Sequence, residues 1–300
     1  MNKPKPIVLC ILDGWGHSDE PKHNAIMAAR TPNFDALLKN NPHSLLATHG
    51  ADVGLPDGIM GNSEVGHMNI GSGRIVLQDL PQVNDAIARD TLRQKQAIKD
   101  LVAALKKTGG ICHLMGLVSD GGVHAHIDHV IALAKILAAE KIPVSIHAFT
   151  DGRDTSPSSA SRFIQHLEKS ISSLENVKIS TVSGRYYPMD RDNRWERVEL
   201  AYNAMINGKG EKAGSASEAV KNSYDKKVTD EFILPTVIGN YSGMKDGDGI
   251  LMANFRADRA RQILLAILDP EFSGFKNKKI KFSAAVGMVE YSEKHNKFLK

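Results

Sequence analysis

Apolar residues along this chain fall into two kinds of stretch. One is the continuous run without a period: Ile7 to Leu12, Ile111 to Val118, Val144 to Phe149, Val177 to Val182, Ile250 to Asn254 and Ile280 to Val289. Such runs predict strands buried on both faces of a parallel sheet. The other has helical spacing. It covers Thr31 to about Lys39, about Gln82 to Lys107, Ile127 to Glu140, Ser158 to Ser170, Trp195 to Ile206, Ser215 to Asn222 and Ala257 to Leu268. Thr31-Pro32 reads as an N-cap followed by proline in the first turn, and Gly109-Gly110 closes the long helical region. Alternation of the two kinds predicts an α/β fold. The pattern breaks at Gly71-Ser72-Gly73-Arg74, which puts a domain junction near residue 76 and units at 1–76 and 77–300. No internal repeat or low-complexity segment interrupts either unit.

Composition narrows the class of partner. The formal charge is +4, and Lys and Arg are interspersed with Asp and Glu, so nucleic acid and membrane surfaces are not expected partners. Cys10 and Cys112 both lie inside apolar runs, which predicts buried reduced thiols. Met1 to Pro6 has no signal-peptide pattern, and no apolar run reaches membrane-spanning length. The expectation is a soluble cytoplasmic monomer acting on a small molecule.

One polar stretch organises the rest: Gly61-Asn62-Ser63-Glu64-Val65-Gly66-His67. Its glycines permit a sharp turn, Glu64 onward can begin a helix, and the free amides of that helix start would face a phosphate. It is neither of two better-known glycine motifs. His67-Met68 stands where a phosphate-binding loop needs Lys and Ser or Thr, and Val65 stands where a nucleophile elbow needs glycine. A capped turn and a nucleophilic Ser63 both remain open on spacing alone. If Ser63 is a nucleophile, the helix terminus supplies only about 0.3–1 kcal/mol toward its activation. A bound metal, which lowers the pKa of coordinated water from about 15.7 to about 7, supplies roughly ten times more. A metal beside Ser63 is therefore expected, and Asp13, at the end of the first apolar run, is a candidate ligand or a turn residue.

Further polar groups follow the ends of four other runs: Asp120 and His124; Asp151, Arg153 and Asp154; Arg185 and Arg191; Arg256 and Arg259. In open α/β sheets, ligands bind beyond the carboxyl ends of strands. Clustered arginines suit a small, multiply charged anion, because the guanidinium fork binds phosphate and carboxylate bidentately. Asp154 can exchange protons with a substrate hydroxyl. A competing pattern is His124-Ala-His126-Ile-Asp128-His129, which resembles the H-x-H-x-D-H zinc motif of metallo-β-lactamase-like hydrolases. Because Ile127 opens a helical pattern, His126 and His129 are read as structural and His124 as a substrate contact.

The motifs LDGWG at 12–16, GNSEVGH at 61–67, SDGGVHAHIDH at 119–129, FTDGRDT at 149–155, SGRYYPMDRDNRWERV at 183–198 and NFRADRARQ at 254–262 resemble, in order, the 2,3-bisphosphoglycerate-independent phosphoglycerate mutase family. The resemblance implies a partial alkaline-phosphatase-like metal-binding domain followed by an α/β phosphotransferase domain. It implies interconversion of 3-phosphoglycerate and 2-phosphoglycerate through phosphoserine at Ser63, with two manganese ions, one held by Asp13 and Ser63. His124, Arg153, Asp154, Arg185, Arg191, Arg256 and Arg259 would hold the substrate. Family members continue past the point corresponding to Lys300, into a segment carrying most of the metal ligands. Little or no mutase activity is thus expected of this chain alone, and the sheet around Ile7 to Leu12 is expected to show unpaired edges and exposed apolar surface. Two other readings compete: a zinc hydrolase using His124, His126 and Asp128, and a non-catalytic phosphoglycerate-binding module.

Overall fold

A computed structural model describes residues 5–300 and divides them into two compact units, one ending at Gln78 and the other running from Asp79 to Lys300.

The first unit is helical and sparsely packed. It contains α1 (Ala25–Ala28), α2 (Pro32–Asn40), a 3-10 turn at Gly50–Val53 and α3 (Ser63–Ser72). Pro32 starts α2 as its sequence signal predicts. The Asn62 side chain caps α3 by accepting from the Val65 amide, and Gly73 ends it in the left-handed conformation. Ile7 to Leu12 is not a strand. Its side chains are exposed, Ile7 at 95 %, and Cys10 is exposed with them. A strand needs at least one hydrogen-bonded neighbour, and among the described residues no strand pairs with this run. The exposed apolar surface expected here is present, but the strand and its open edges are not.

The second unit is a three-layer α/β domain. Its seven strands are β1 (Cys112–Leu117), β2 (Val144–Thr150), β3 (Val177–Gly184), β4 (Glu211–Ala213), β5 (Thr236–Ile238), β6 (Gly249–Met252) and β7 (Ala284–Gly287), in the order β4-β5-β3-β2-β1-β6-β7. All neighbours run parallel except β5, which is antiparallel to β3. The two shortest strands, β4 and β5, carry too little pattern to be seen in the sequence. Helices α4 (Asp79–Ala88), α5 (Gln96–Thr108), α6 (Ile127–Ala139), α7 (Ala160–Ile171) and α9 (Ala216–Asp225) join one core cluster with Cys112, Leu114 and Ile146. Helices α8 (Trp195–Asn207) and α10 (Arg261–Leu268) join the other with Met115, Leu117 and Met252. The alternation of Leu114 and Met115 between clusters is the period of two that sends successive side chains to opposite faces. Each fully buried leucine, such as Leu101, Leu114 or Leu133, contributes about 1.5–3 kcal/mol.

Three boundaries differ from the pattern. The region from Gln82 to Lys107 is not continuous helix, because α4 stops at Ala88 and a 3-10 turn at Leu92–Gln94 precedes α5. Asp90 there takes a left-handed φ of 55°, and the Thr91 amide and hydroxyl both return to the Ala86 carbonyl. Helix α10 starts at Arg261, since residues 257–260 form the turn that leaves β6. Of the run Ile280 to Val289, Ala284–Gly287 pairs with β6.

From β1 the chain moves to β2 and β3 on one side, and later to β6 and β7 on the other. The order therefore reverses between β1 and β6, and that crevice is where ligands bind in open sheets.

Candidate functional site

At the carboxyl end of β1, His124 is 4 % exposed, and its carbonyl accepts from the Phe255 and Arg256 amides, which lashes the loop after β1 to the loop after β6. The loop after β2 is built by Asp151. This buried carboxylate accepts from the Ser119 hydroxyl at 2.6 Å and from the Arg153 and Asp154 amides at 3.2 and 3.0 Å. Arg185, just beyond β3, donates through Nη1 to Asp151 at 2.8 Å and to Asp154 at 2.6 Å. Two glycines allow the close approach of a fourth segment. A Cβ on Gly152, whose φ is 74°, would stand 2.8 Å from the Glu231 amide, and one on Gly184 would stand 2.3 Å from the Glu231 carbonyl. Glu231 in turn lies 3.6 Å from Arg153.

His124 stands between two carboxylates, Asp154 at 3.9 Å from Nε2 and Asp258 at 3.6 Å from Nδ1. Asp258 also takes Arg191 at 2.9 Å and Arg256 at 3.3 Å. Arg259 donates to the Met189 carbonyl at 3.1 Å. Burial, and then the charges of Arg153, Arg185 and Arg191, lower the pKa of Arg259.

Electrostatics separate fixed from movable groups. Burial would raise the Asp151 pKa, but the bonds from Ser119, the Asp154 amide and Arg185 outweigh it and hold the carboxyl below its usual range. Burial opposes the charge on Arg185 and its two carboxylates overcome that, so its pKa rises. Breaking such a buried pair by removing one partner costs about 3–5 kcal/mol. The pairs made by Arg153, Arg191 and Arg256, each about half exposed, are worth only about 0–1 kcal/mol. An incoming anion can therefore draw these three away from Glu231 and Asp258 while Arg185 stays in place.

Six of the seven residues read as anion-holding, His124, Arg153, Asp154, Arg185, Arg191 and Arg256, are thus linked through Asp151, Asp154 and Asp258, and Arg259 follows Asp258 in the turn that leaves β6. Asp258 and Glu231 were missed, because a carboxylate among arginines looks in sequence like an ordinary surface charge. The zinc pattern comes apart. His126 caps α6 by accepting from the Asp128 amide at 3.2 Å, His129 bonds to Asn84 at 2.7 Å, and His124 faces Asp154 and Asp258.

In the first unit, Ser63 is the first residue of α3, and its hydroxyl donates to Asp13 Oδ2 at 2.7 Å. His67 Nδ1 lies 2.7 Å from the Ser63 carbonyl oxygen. Among the described residues no group of three or more His, Cys, Asp or Glu side chains is arranged to hold a metal. Two oxygens alone do not define a divalent site, so Asp13 and Ser63 fit part of one. No helix among the described residues is long and apolar enough to cross a membrane.

A mostly parallel sheet whose switch-point crevice gathers arginines, a histidine and carboxylates defines an open-sheet α/β protein. The family model described as the N-terminus of the BPG-independent PGAM matches residues 83–293. The 2,3-bisphosphoglycerate-independent phosphoglycerate mutase of Roseobacter denitrificans is 52 % identical over 300 residues, covering 100 % of this chain and 59 % of the relative. That of Agrobacterium fabrum is 54 % identical over 299 residues with the same coverage. A crystal structure of Leishmania mexicana phosphoglycerate mutase at low cobalt concentration superposes with a TM-score of 0.73 at 33 % identity, over 95 % of this chain and 55 % of that one. The chain belongs to the 2,3-bisphosphoglycerate-independent phosphoglycerate mutase family. It spans about 59 % of the length of the curated relatives it matches.

Proposed function

We propose that this chain is the substrate-holding part of a cytoplasmic enzyme that interconverts 3-phosphoglycerate and 2-phosphoglycerate without bisphosphoglycerate. The observation that carries this reading is the switch-point cluster of Arg153, Arg185, Arg191, Arg256 and Arg259 around His124 and Asp154. A phosphoglycerate carries a phosphate, a carboxylate and a free hydroxyl. Guanidinium forks suit the two anionic groups, and His124 and Asp154 suit the hydroxyl. Arg185 is the fixed member, while Arg153, Arg191 and Arg256 exchange their weak protein pairs for the ligand.

Ser63 is the nucleophile of this reading. Its Oγ gives up its proton and bonds to phosphorus as the ester bond to the glycerate oxygen breaks, and that oxygen takes up a proton. The other hydroxyl then gives its proton to Asp154 and receives the phosphoryl group as the Ser63 oxygen takes a proton back, so that each transfer releases one proton and takes one up. The short bond from Ser63 to Asp13 and the position of Ser63 at a helix start support this role. Manganese would supply Lewis-acid stabilisation of the developing charge, with Asp13 and Ser63 giving two of its ligands.

The test is a chimera in which this chain is continued by the remainder of the Roseobacter relative. Formation of 2-phosphoglycerate is coupled to enolase, with manganese present and bisphosphoglycerate absent. Turnover that falls at least about a thousandfold in Ser63→Ala is expected, the scale of losing a covalent step. Equal turnover in Ser63→Ala would overturn the phosphoserine route, and full turnover in Asp154→Asn would remove Asp154 from proton transfer.

A further inference from the structure

The carboxylate that the motifs left unread, Asp258, touches three members of the pocket. One oxygen is engaged by Arg191 at 2.9 Å, and the other, Oδ1, is buried without a hydrogen bond, with Arg256 Nε standing 3.3 Å from it. Facing it at 3.6 Å is His124 Nδ1, also buried and also without a partner. Oδ1 therefore has a guanidinium near it but no hydrogen-bond donor, while His124 Nδ1 has no partner except Oδ1 within reach, and a buried polar group left unpaired costs about 1–3 kcal/mol.

We propose that Asp258 is the positioning residue that keeps the single imidazole proton of His124 on Nδ1, so that Nε2 faces the ligand as an acceptor and takes a hydroxyl in preference to a phosphate or carboxylate oxygen. Desolvation and the Arg185 charge push the His124 pKa down to about 4 against the opposing charges of Asp258 and Asp154, so at neutral pH the ring carries one proton. On Nδ1 it pairs with Asp258 Oδ1, an oxygen that accepts no hydrogen bond although Arg256 Nε stands 3.3 Å away, and gives the buried Nδ1 its partner. On Nε2 it would point to Asp154 Oδ2, 3.9 Å away, an oxygen that already accepts from Arg185 at 2.6 Å. The hydrogen bond made by one ring nitrogen fixes what the other offers. A neutral Nε2 lone pair repels an anionic oxygen and accepts from O–H. This sorts the pocket: guanidiniums for the charged ends of the ligand, His124 for its hydroxyl. The ligand half of the inference rests on the proposed phosphoglycerate reading, whereas the tautomer does not.

The test uses long-range 1H–15N correlation spectra of the histidine-labelled chain at neutral pH, with His124 assigned by its loss in His124→Gln. The expected wild-type pattern is the Nδ1-protonated tautomer. Asp258→Ala is expected to move the proton to Nε2, and Asp258→Asn, which keeps an acceptor oxygen but drops the charge, to return it to Nδ1. A purely structural role for Asp258 would not produce that reversal. An Nε2-protonated ring in the unaltered chain overturns the proposal, and that result needs no variant to fold. Adding 3-phosphoglycerate separates the two claims. A His124 signal that shifts while Nδ1 stays protonated supports both. A signal that does not respond overturns the ligand assignment, and an Nε2 tautomer that does respond overturns the role of Asp258 alone.

Discussion

The two units of this chain are built from similar residues and packed very differently. In the unit ending at Gln78, Val53 and Val65 are the buried hydrophobic side chains among the described residues, while Ile7, Val8, Leu9, Leu45, Leu46 and Met60 are exposed. From Asp79 onward, two hydrophobic clusters clasp a seven-stranded sheet. The difference teaches where each part of the chemistry gets its rigidity. The arginine pocket stands on strand ends and loops fixed by Asp151, Arg185 and the Glu231 backbone. The pair formed by Ser63 and Asp13 is exposed and held by one capped helix.

The largest effect is expected from Asp151→Ala, which strips Arg185 and the turn amides of a buried carboxylate. Stability of the second unit should fall by about 3–5 kcal/mol in urea unfolding, and a loss under about 1 kcal/mol would mean that the pocket is not pre-built.

Acidification comes next. Burial lowers the pKa of His124 and His129 from the ordinary 6.5 to about 4, and burial with the His113 charge lowers that of His147 well below the same value. Below pH 6.5 the unfolded chain binds protons that the folded domain refuses. The stability these groups contribute is therefore fully present above pH 6.5 and declines toward pH 4. A melting temperature that is flat or rising over that window would contradict the burial of these rings.

The smallest effect is expected at Leu46, which is 80 % exposed. Leu46→Ala should change stability by no more than about 0.5 kcal/mol, and a loss above about 2 kcal/mol would show that the first unit has a core of its own.

The same contrast explains how far the sequence could be read. Ile7 to Leu12 and Ile111 to Val118 are equivalent as patterns, yet only the second contains a strand, because β1 finds β2 and β6 on its two edges. Periodicity reports what a segment could bury and is silent on whether a partner is there to bury it. The short strands β4 and β5 are set by pairing with β3 and with each other, which no local pattern reveals. The cluster was legible because parallel strands deliver whatever follows them to one edge of the sheet, so residues from His124 to Arg259 could be grouped from their order alone. Asp258 was not legible, since its meaning lies in facing His124, 134 residues earlier in the sequence. Cys10 and Cys112 sit in like surroundings in sequence and end exposed and buried, for the same reason as the runs that contain them.

The most direct measurement is a calorimetric titration of 3-phosphoglycerate into the chain as it stands and into its Ser63→Ala and Arg153→Ala variants. If the second unit holds a complete pocket of its own, the chain and Ser63→Ala bind with equal affinity, and Arg153→Ala binds at least about tenfold more weakly, or about 1.4 kcal/mol. Absence of binding, or binding lost in Ser63→Ala and unchanged in Arg153→Ala, would contradict the account.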